Sequence, residues 1–210
     1  MAEIHIVEQT TPSNPATGKL KVYADSVDNK LKQIDSSGVV KDLTDSASPS
    51  DNCRIGFWDY NDTTTASTPI SITAATPTVL TNDGSGAFSL DTYKPIGLTD
   101  VWDDVDSFDW SELPLGTMVD IRLDVTLTTL SVNTTVEIDL HLGIGAGSYT
   151  IPFVTDADFK VAASHTVNKY NGIYIGDANT KNNGGQFKIT CDKNSTVIVN
   201  GWYVKVLLRG

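Results

Sequence analysis

The chain has 210 residues, a mass of 22.6 kDa and a formal net charge of −11 at pH 7. Of its 26 acidic residues 22 are Asp and 4 are Glu, and Thr occurs 26 times, so the composition excludes a helical bundle or a coiled coil and disfavours a βαβ enzyme. The acidic balance argues against nucleic acid and an anionic membrane surface as partners, because both attract Lys and Arg.

A chain of this length fits one domain, or one domain with a small appendage. The opening sequence MAEIHIVEQ lacks a basic segment followed by an apolar one, so we expect no signal peptide and synthesis in a reducing cytosol. No apolar run is long enough to span a bilayer. Two cysteines are too few for a disulfide scaffold, so we expect free, partly buried thiols at Cys53 and Cys191, with a bridge between them as the alternative.

Short alternating segments separated by Gly, Asn, Asp and Ser occupy residues 1–43 and predict strands joined by tight turns. The predicted strands are Ile4–Gln9, Leu20–Ala24, Lys30–Asp35 and Val39–Leu43. Their main apolar residues are Val22, Leu31, Ile34, Val39 and Leu43. A sheet with so little to bury is marginal by itself, so we expect it to need another copy or a partner surface.

The stretch TDSASPSDN, residues 44–52, is small and polar, which predicts a linker. We therefore assign residues 1–45 to an N-terminal β-hairpin segment, 46–52 to the linker and 53–210 to a second domain. Strand-like runs follow one another in that domain without intervening helices, which predicts a sandwich or a barrel. The predicted strands are 53–60, 69–81, 117–130, 135–144, 148–154, 159–167, 170–176, 186–192 and 195–208.

The clearest pattern is strict alternation in TMVDIRLDVTLTTL and TTVEIDLHLGI, which predicts two half-buried antiparallel strands. The inward residues are Val119, Ile121, Leu123, Val125 and Leu127, and then Val136, Ile138, Leu140, Leu142 and Ile144. If the two strands form a hairpin around Val132–Asn133, opposed positions sum to 263 or 265. A sum of 263 sets Asp124 opposite Asp139, whereas a sum of 265 sets Asp124 opposite His141. We prefer 265, because repulsion between the two carboxylates disfavours 263.

One aspartate-rich segment, DVWDDVDSFDW, is a candidate calcium site, since oxygen-rich loops bind Ca²⁺. Its carboxylates belong to Asp100, Asp103, Asp104, Asp106 and Asp109. The segment lacks the glycine and the terminal Glu of an EF-hand loop. The alternative, which we favour, is a long loop whose aromatic residues anchor it to the sandwich while the aspartates face water. On that interpretation the protein holds no metal.

Other chemical motifs give no catalytic or cofactor site. His5, His141 and His165 lie in no metal-ligand spacing, and the glycine run from Gly143 to Gly147 predicts a turn because no helix follows it. No nucleophile–base pair stands out, so we expect neither catalysis nor a cofactor. Aromatic residues could stack on sugar rings, although core packing explains most of them better. They are Trp58, Tyr60, Tyr149, Tyr170 and Tyr174.

The segment PATGKLKVYADSVDNKLKQIDSSGVVKDLTD, Pro15–Asp45, resembles a module at the N-termini of bacteriophage tail-fibre and head-fibre proteins. The rest resembles the TNF/C1q-type jelly roll of virion spikes and fibres, on LGTMVDIRLDVTLTTL, FKVAASHTV, KYNGIYIG, QFKITCDK and STVIVNGWYVKVLLR. The last of these fits a closing central strand. The resemblance implies an all-β antiparallel jelly-roll sandwich and a homotrimeric virion surface protein without chemistry.

These observations favour a structural protein of a phage virion: a capsid decoration, a head fibre or a tail-fibre component. Residues 1–45 would bind other virion proteins of the capsid or tail, and 53–210 would form the displayed domain. The alternative is a receptor module that binds a host-surface glycan, and a third hypothesis is a small polysaccharide hydrolase or accessory domain.

Overall fold

The computed structural model describes residues 8–43, 55–145 and 147–209. The chain divides into two compact units, Met1–Asn52 and Cys53–Gly210. In the part of the chain that is described, no helix is long and apolar enough to cross a membrane.

Residues 8–43 of the smaller unit form a four-stranded sheet, sheet 1, in the order β1-β2-β3-β4. Its strands are β1 Glu8–Gln9, β2 Leu20–Asp25, β3 Leu31–Asp35 and β4 Val40–Asp42. Strands β2, β3 and β4 pair antiparallel, and β1 adds to β2 in parallel. The predicted bounds of β2 to β4 hold to within one residue, whereas Ile4–Val7 of the first predicted strand lies outside the described residues.

Sheet 1 buries one face and exposes the other. Tyr23 and Ile34 are buried, while Leu20 and Val22 are 61% and 48% exposed. Val39 and Leu43, which flank β4, are also exposed. Most of the apolar residues that the sequence offers for burial are therefore at the surface.

In residues 55–145 and 147–209, the larger unit contains nine strands and two short helices. The strands are β5 Ile55–Asn61, β6 Ile70–Ile72, β7 Thr78–Val79, β8 Met118–Thr129, β9 Thr134–Leu142, β10 Tyr149–Phe159, β11 Ser164–Tyr174, β12 Gly185–Cys191 and β13 Ser195–Leu207. The helices are α1 Thr64–Ser67 and α2 Ala178–Asn183, neither of which the sequence pattern predicts.

These strands form two antiparallel sheets around one core. Sheet 2 has the order β10-β9-β12-β7, and sheet 3 has the order β11-β8-β13-β5, with β6 pairing β13. Leaving β6 aside, the first strand pairs with the last and the second with the seventh, and the chain repeatedly crosses from one sheet to the other. This is the eight-stranded jelly roll, and the predicted all-β sandwich is confirmed. Strand β13 is central, as its sequence predicts.

The predicted hairpin between residues 117 and 144 is wrong. Strand β8 pairs with β11 and β13, and β9 pairs with β10 and β12. Asp124 lies opposite Asn168 and Gly201, and His141 opposite Thr150 and Gln186, so neither proposed register occurs. Alternation identifies the buried face of a strand but not its hydrogen-bonded partner.

The predicted faces of β8 and β9 are nevertheless correct. The inward residues within both strands are fully or almost fully buried in one hydrophobic cluster, whereas Ile144, beyond the end of β9, is only partly buried. The two rows come from opposite sheets, so they face each other across the core instead of lying side by side. Between them the chain turns at Asn133, whose φ is 52°, and Lys193 Nζ donates to the carbonyls of Val132 and Asn133.

Three predicted strand boundaries are also wrong. The run 69–81 is two short strands, and β10 continues through Asp156 and Asp158 to Phe159, with register shifts after Pro152 and Val154. Strand β11 continues through Asn168 and Lys169, where the sequence pattern predicts a break between two strands. Both β10 and β11 are edge strands, which tolerate bulges and outward polar residues that otherwise signal turns.

A pair of cysteine variants tests the sheet assignment. Thr128 on β8 lies opposite Ser164 on β11, and their hydroxyl oxygens are 2.8 Å apart. Thr128→Cys/Ser164→Cys should therefore form a disulfide on mild oxidation, located by peptide mass mapping. The matched variant Thr128→Cys/Glu137→Cys, which a 265 register would juxtapose, should not crosslink within the monomer. A disulfide-linked peptide recovered from this second variant would restore the hairpin.

Candidate functional site

The aspartate-rich segment lies in the long connection between β7 and β8. Its aromatic residues enter the core, where Trp102, Phe108 and Trp110 are at most 3% exposed. The rings of Phe108 and Trp110 stack at 4.8 Å, and Trp102 meets Trp202 of β13 edge-on at 4.7 Å. Burial of three such rings fixes the segment against the sandwich.

The carboxylates of this segment accept hydrogen bonds from their own loop. Asp103 Oδ1 accepts from the backbone N–H groups of Val105, Asp106 and Ser107 at 2.9, 2.9 and 3.0 Å. Asp109 Oδ1 likewise accepts from the backbone N–H of Ser111 at 2.8 Å.

Asp100 and Asp104 behave differently. Asp100 accepts from the hydroxyl of Tyr60 and from the backbone N–H of Val101. Asp104 lies at the surface, where partial desolvation of its carboxyl and the charges of Asp100 and Asp103 raise its pKa. Among the described residues, no three His, Cys, Asp or Glu side chains are grouped so that they could hold a metal ion.

The other predicted chemical residues lie apart from one another. His5 and Cys53 are outside the described residues. His141 lies on the outer side of β9, where burial lowers its pKa, and His165 packs against Phe159 at 4.4 Å. Cys191 is buried, and burial raises the pKa of its thiol to about 11, which makes it a poor nucleophile.

The glycine run at the end of β9 forms a turn beside α2. The N–H of Gly143 donates to the carbonyl of Gly184 at 2.9 Å, and the N–H of Ile144 donates to that of Asn183 at 3.2 Å. Ala146 is outside the described residues. The described N–H groups thus serve the fold.

The candidate sugar-stacking residues divide by exposure. Trp58 and Tyr60 are buried, so they cannot stack on a ligand, whereas Tyr149, Tyr170 and Tyr174 are 41%, 59% and 66% exposed. Tyr170 and Tyr174 both lie on the outward side of β11, one of the two edge strands of sheet 3. Burial and a hydrogen bond to Asp120 raise the pKa of Tyr170 to about 12, so it remains a neutral phenol at pH 7.

A cleft of about 250 Å³ opens on the outer face of sheet 3. We call it the outer cleft, and its lining residues are Asp59, Asn61, Phe88, Arg122, Asp124, Asn200 and Gly201. A β-bulge between Val199 and Gly201 adds Asn200 to β13 at this point. Gly201 has φ +153°, and a Cβ there would collide with the carbonyl oxygen of Tyr60, so only glycine allows the bulge to lie this close to β5.

Some polar groups on the floor of the outer cleft are hydrogen-bonded to other described residues, and others are not. Asp124 accepts from the amides of Asn200 and Asn168 at 3.1 and 3.3 Å. Asp59 accepts from Asn61 at 2.9 Å through Oδ1 alone, and burial raises its pKa, although the nearby Arg122 opposes the rise. Within residues 55–145 and 147–209, no side chain or backbone carbonyl accepts a hydrogen bond from the Arg122 guanidinium, which lies 5.6 Å above the ring of Tyr203.

The wall of the cleft is Phe88, whose side chain is 80% exposed. The short segment that carries it is held along β5. Leu90 and Asp59 exchange two backbone hydrogen bonds of 2.8 Å, and the N–H of Gly86 donates to the carbonyl of Asn61 at 2.7 Å. The N–H of Asn61 in turn donates to Ser89 Oγ at 2.9 Å. The phenyl ring is thus presented to solvent by a fixed backbone.

An aromatic platform continues from the cleft along the same face. Phe57 stacks on the 60%-exposed ring of Tyr93 at 5.2 Å and contacts Tyr203 at 5.2 Å. Arg122 lies opposite Tyr203, and Tyr203 lies opposite Asp59, in neighbouring strands. Rings and hydrogen-bonding groups therefore alternate across the sheet.

Sequence reasoning missed most of this surface. The alternation of β8 places Arg122 outward, but nothing in the pattern brings it to Asp59 or Phe88, because their partner strands are distant in sequence. The one available signal is Phe88 itself, a lone phenylalanine after the small residues of GSGA, in a loop that offers it no hydrophobic face.

These observations define the class of protein as an all-β jelly-roll sandwich with an open, mixed aromatic and polar outer face. Neither a known protein family nor a curated sequence matches the chain.

Among solved structures, the chain is similar to that of the T13 particle of infectious bursal disease virus, with a TM-score of 0.45 and 7% identity over 74% of this chain and 31% of that one. The chain thus spans about a third of the viral protein. It is also similar to the xylan-binding CBM22-1 domain of Paenibacillus barcinonensis Xyn10C, with a TM-score of 0.37 and 9% identity over 72% and 94%. Similarity at this level assigns no function.

Replacing Asp103 tests what the aspartate-rich segment does. If its carboxylate caps the loop backbone, Asp103→Ala should lower the free energy of unfolding by about 1 kcal/mol, and Asp103→Asn, which keeps an acceptor oxygen, by less. Denaturant melts measure both. A chelator should leave the native midpoint unchanged, whereas a large fall with chelator would establish a calcium site by linkage.

Proposed function

We propose that this chain is a non-enzymatic structural protein of a phage virion: a homotrimeric capsid decoration, head-fibre or tail-fibre protein. Residues 1–45 bind other virion proteins, and residues 53–210 form the displayed jelly roll. The protein is made in the host cytoplasm and then belongs to the particle.

The open face of sheet 1 supports the attachment role. Leu20, Val22, Val39 and Leu43 are 40–62% exposed on a sheet of short strands. A sheet this small gains little stability by itself, and apolar surface left in water marks a protein contact. The observation that carries the proposal is this uncovered face on a unit distinct from the jelly roll.

An apolar seam supports the trimer. A cleft of about 400 Å³ opens between the edge strands β10 and β11. Leu142, Ile151 and Ile173 line it together with the rings of Tyr149 and Tyr174. A cyclic assembly of jelly rolls that pack along this seam would cover both sheet edges at once.

Light scattering of the full-length protein tests the assembly. We expect a species of about three times 22.6 kDa. Tyr174→Asp, which places a charge in the seam, should dissociate it, whereas Leu130→Asp in the exposed turn after β8 should not. A concentrated wild-type monomer would refute the trimer.

Attachment can be tested on sheet 1 without deleting it. Leu20→Asp should abolish binding to particles that lack the protein, because it charges the open face, while the melting temperature stays within about 2 °C of wild type. Val27→Asp, at an 83%-exposed turn position, is the matched control and should bind normally. Undiminished decoration by Leu20→Asp, or by a chain that lacks residues 1–45, would contradict the anchor assignment.

A second candidate function is glycan recognition by the displayed domain. It is favoured by the outer face of sheet 3, where exposed rings alternate with amide, carboxylate and guanidinium groups. A purely structural surface needs no fixed, solvent-exposed phenylalanine beside an arginine whose guanidinium has no hydrogen-bond acceptor within the described residues.

A further inference from the structure

We infer that the outer cleft and the adjoining platform of Phe57, Tyr93 and Tyr203 bind a neutral polysaccharide chain. The inference deepens the glycan-recognition candidate and rests on it, but it is independent of the virion assignment. It names a site that the sequence pattern does not contain.

Phe88 provides the first argument. A phenyl ring that is 80% exposed lacks the free energy that burial in a core would give it. The segment that carries this ring is held to β5 by the hydrogen bonds of Gly86, Ser89 and Leu90. The ring therefore stays at the surface, beside the cleft. It stands as a ready face against which the C–H side of a sugar ring packs, since the aromatic face is electron-rich and the C–H groups are weakly positive.

The polar floor provides the second argument. Arg122 offers donors and Asp59 Oδ2 offers an acceptor, and neither group has a hydrogen-bond partner in the described residues, so both remain available to a ligand's hydroxyl groups. Asp124 and Asn200 are already bonded to each other at 3.1 Å, which fixes their orientation. A few oriented polar groups beside an aromatic wall are the usual composition of a small-ligand site.

The length of the surface argues for a chain and not for a single sugar. Tyr170, Arg122, Tyr203 and Asp59 form one rung across four strands, which spans about 14 Å at the usual strand spacing. Phe57 lies two residues along β5 from Asp59, and Tyr93 extends the platform beyond it. Several consecutive units of an extended chain can contact this surface.

Charge selects a neutral ligand. The cleft holds the carboxylates of Asp59 and Asp124 against one guanidinium, and the whole chain carries a formal charge of −11. Uronic-acid polymers and nucleic acids would meet repulsion here. A metal ion is disfavoured too, because both oxygens of Asp124 already accept from amides and Arg122 is adjacent.

Affinity electrophoresis of the full-length protein provides the first test. We expect retardation in gels that contain at least one of a panel of neutral polymers (glucan, xylan, mannan and galactan) and none with alginate or polygalacturonate. Titration calorimetry with the matching oligosaccharide then gives the dissociation constant. Phe88→Ala should weaken binding at least tenfold and Arg122→Gln about fivefold. Leu130→Ala, which removes an exposed apolar side chain far from the cleft, is the control and should bind as wild type.

A local probe reports occupancy of the cleft itself. All four native tryptophans are buried, so Phe88→Trp creates one exposed indole in the described structure, at the wall of the cleft. Saccharide should shift its emission to shorter wavelength in proportion to bound ligand. Melting temperatures and light scattering of each variant show that fold and assembly are unchanged.

The outcomes separate the site from the function. No retardation by any neutral polymer overturns the inference together with the glycan candidate, while the attachment and trimer experiments still stand. Retardation that survives Phe88→Ala and Arg122→Gln keeps glycan binding but moves it to another surface of the protein, and the inference is then wrong. Dissociation of the oligomer by either variant shows that the face contacts a second copy of the chain, and the inference is then wrong.

Discussion

The larger unit depends on the burial of two rows of aliphatic side chains that β8 and β9 present to each other from opposite sheets. Each fully buried Val, Leu or Ile contributes about 1.5–3 kcal/mol relative to exposure, and the two rows together bury nine such side chains within the strands. Because β8 and β9 oppose each other across the core, β8 takes its hydrogen-bonded partners from β11 and β13, farther along the chain. Strand β13 consequently pairs with β8, β5 and β6 and joins the ends of the unit.

This topology also explains the excess of Asp over Glu. A jelly roll needs long connections between its sheets, and their backbone N–H groups have no strand partner, although each needs an acceptor. The short carboxylate of Asp reaches the N–H of a residue two to four positions ahead, which Glu does less well. Asp62, Asp83, Asp103, Asp109 and Asp177 all make this contact. The acidic composition is thus largely a product of the loops.

Sequence reasoning recovered what is local and missed what is not. Period-two alternation correctly identified the inward residues of β8 and β9 and the strands of sheet 1, because burial of one face imposes that period on any sheet. It misassigned the partner of β8, because the next strand in sequence is the usual partner in a hairpin. In this jelly roll the next strand, β9, lies in the opposite sheet. The outer cleft could not be predicted for the same reason. Its residues come together only because β13 lies between β5 and β8, as Asp59, Phe88, Arg122 and Asn200 show.

The outward side chains of sheet 3 contribute little to the hydrophobic core. Arg122 and Asp124, for example, alternate along β8 with the buried side chains that stabilise the fold. The core therefore does not dictate which residues occupy these outward positions. The bulge at Asn200 interrupts the regular hydrogen bonding of β13 and requires glycine at the next position. It also directs the amide of Asn200 toward Asp124. A distortion on a central strand is tolerated where it orients polar groups. The rigid core therefore holds the outer face in a fixed arrangement, and a ligand that bound there would lose little free energy to ordering the protein.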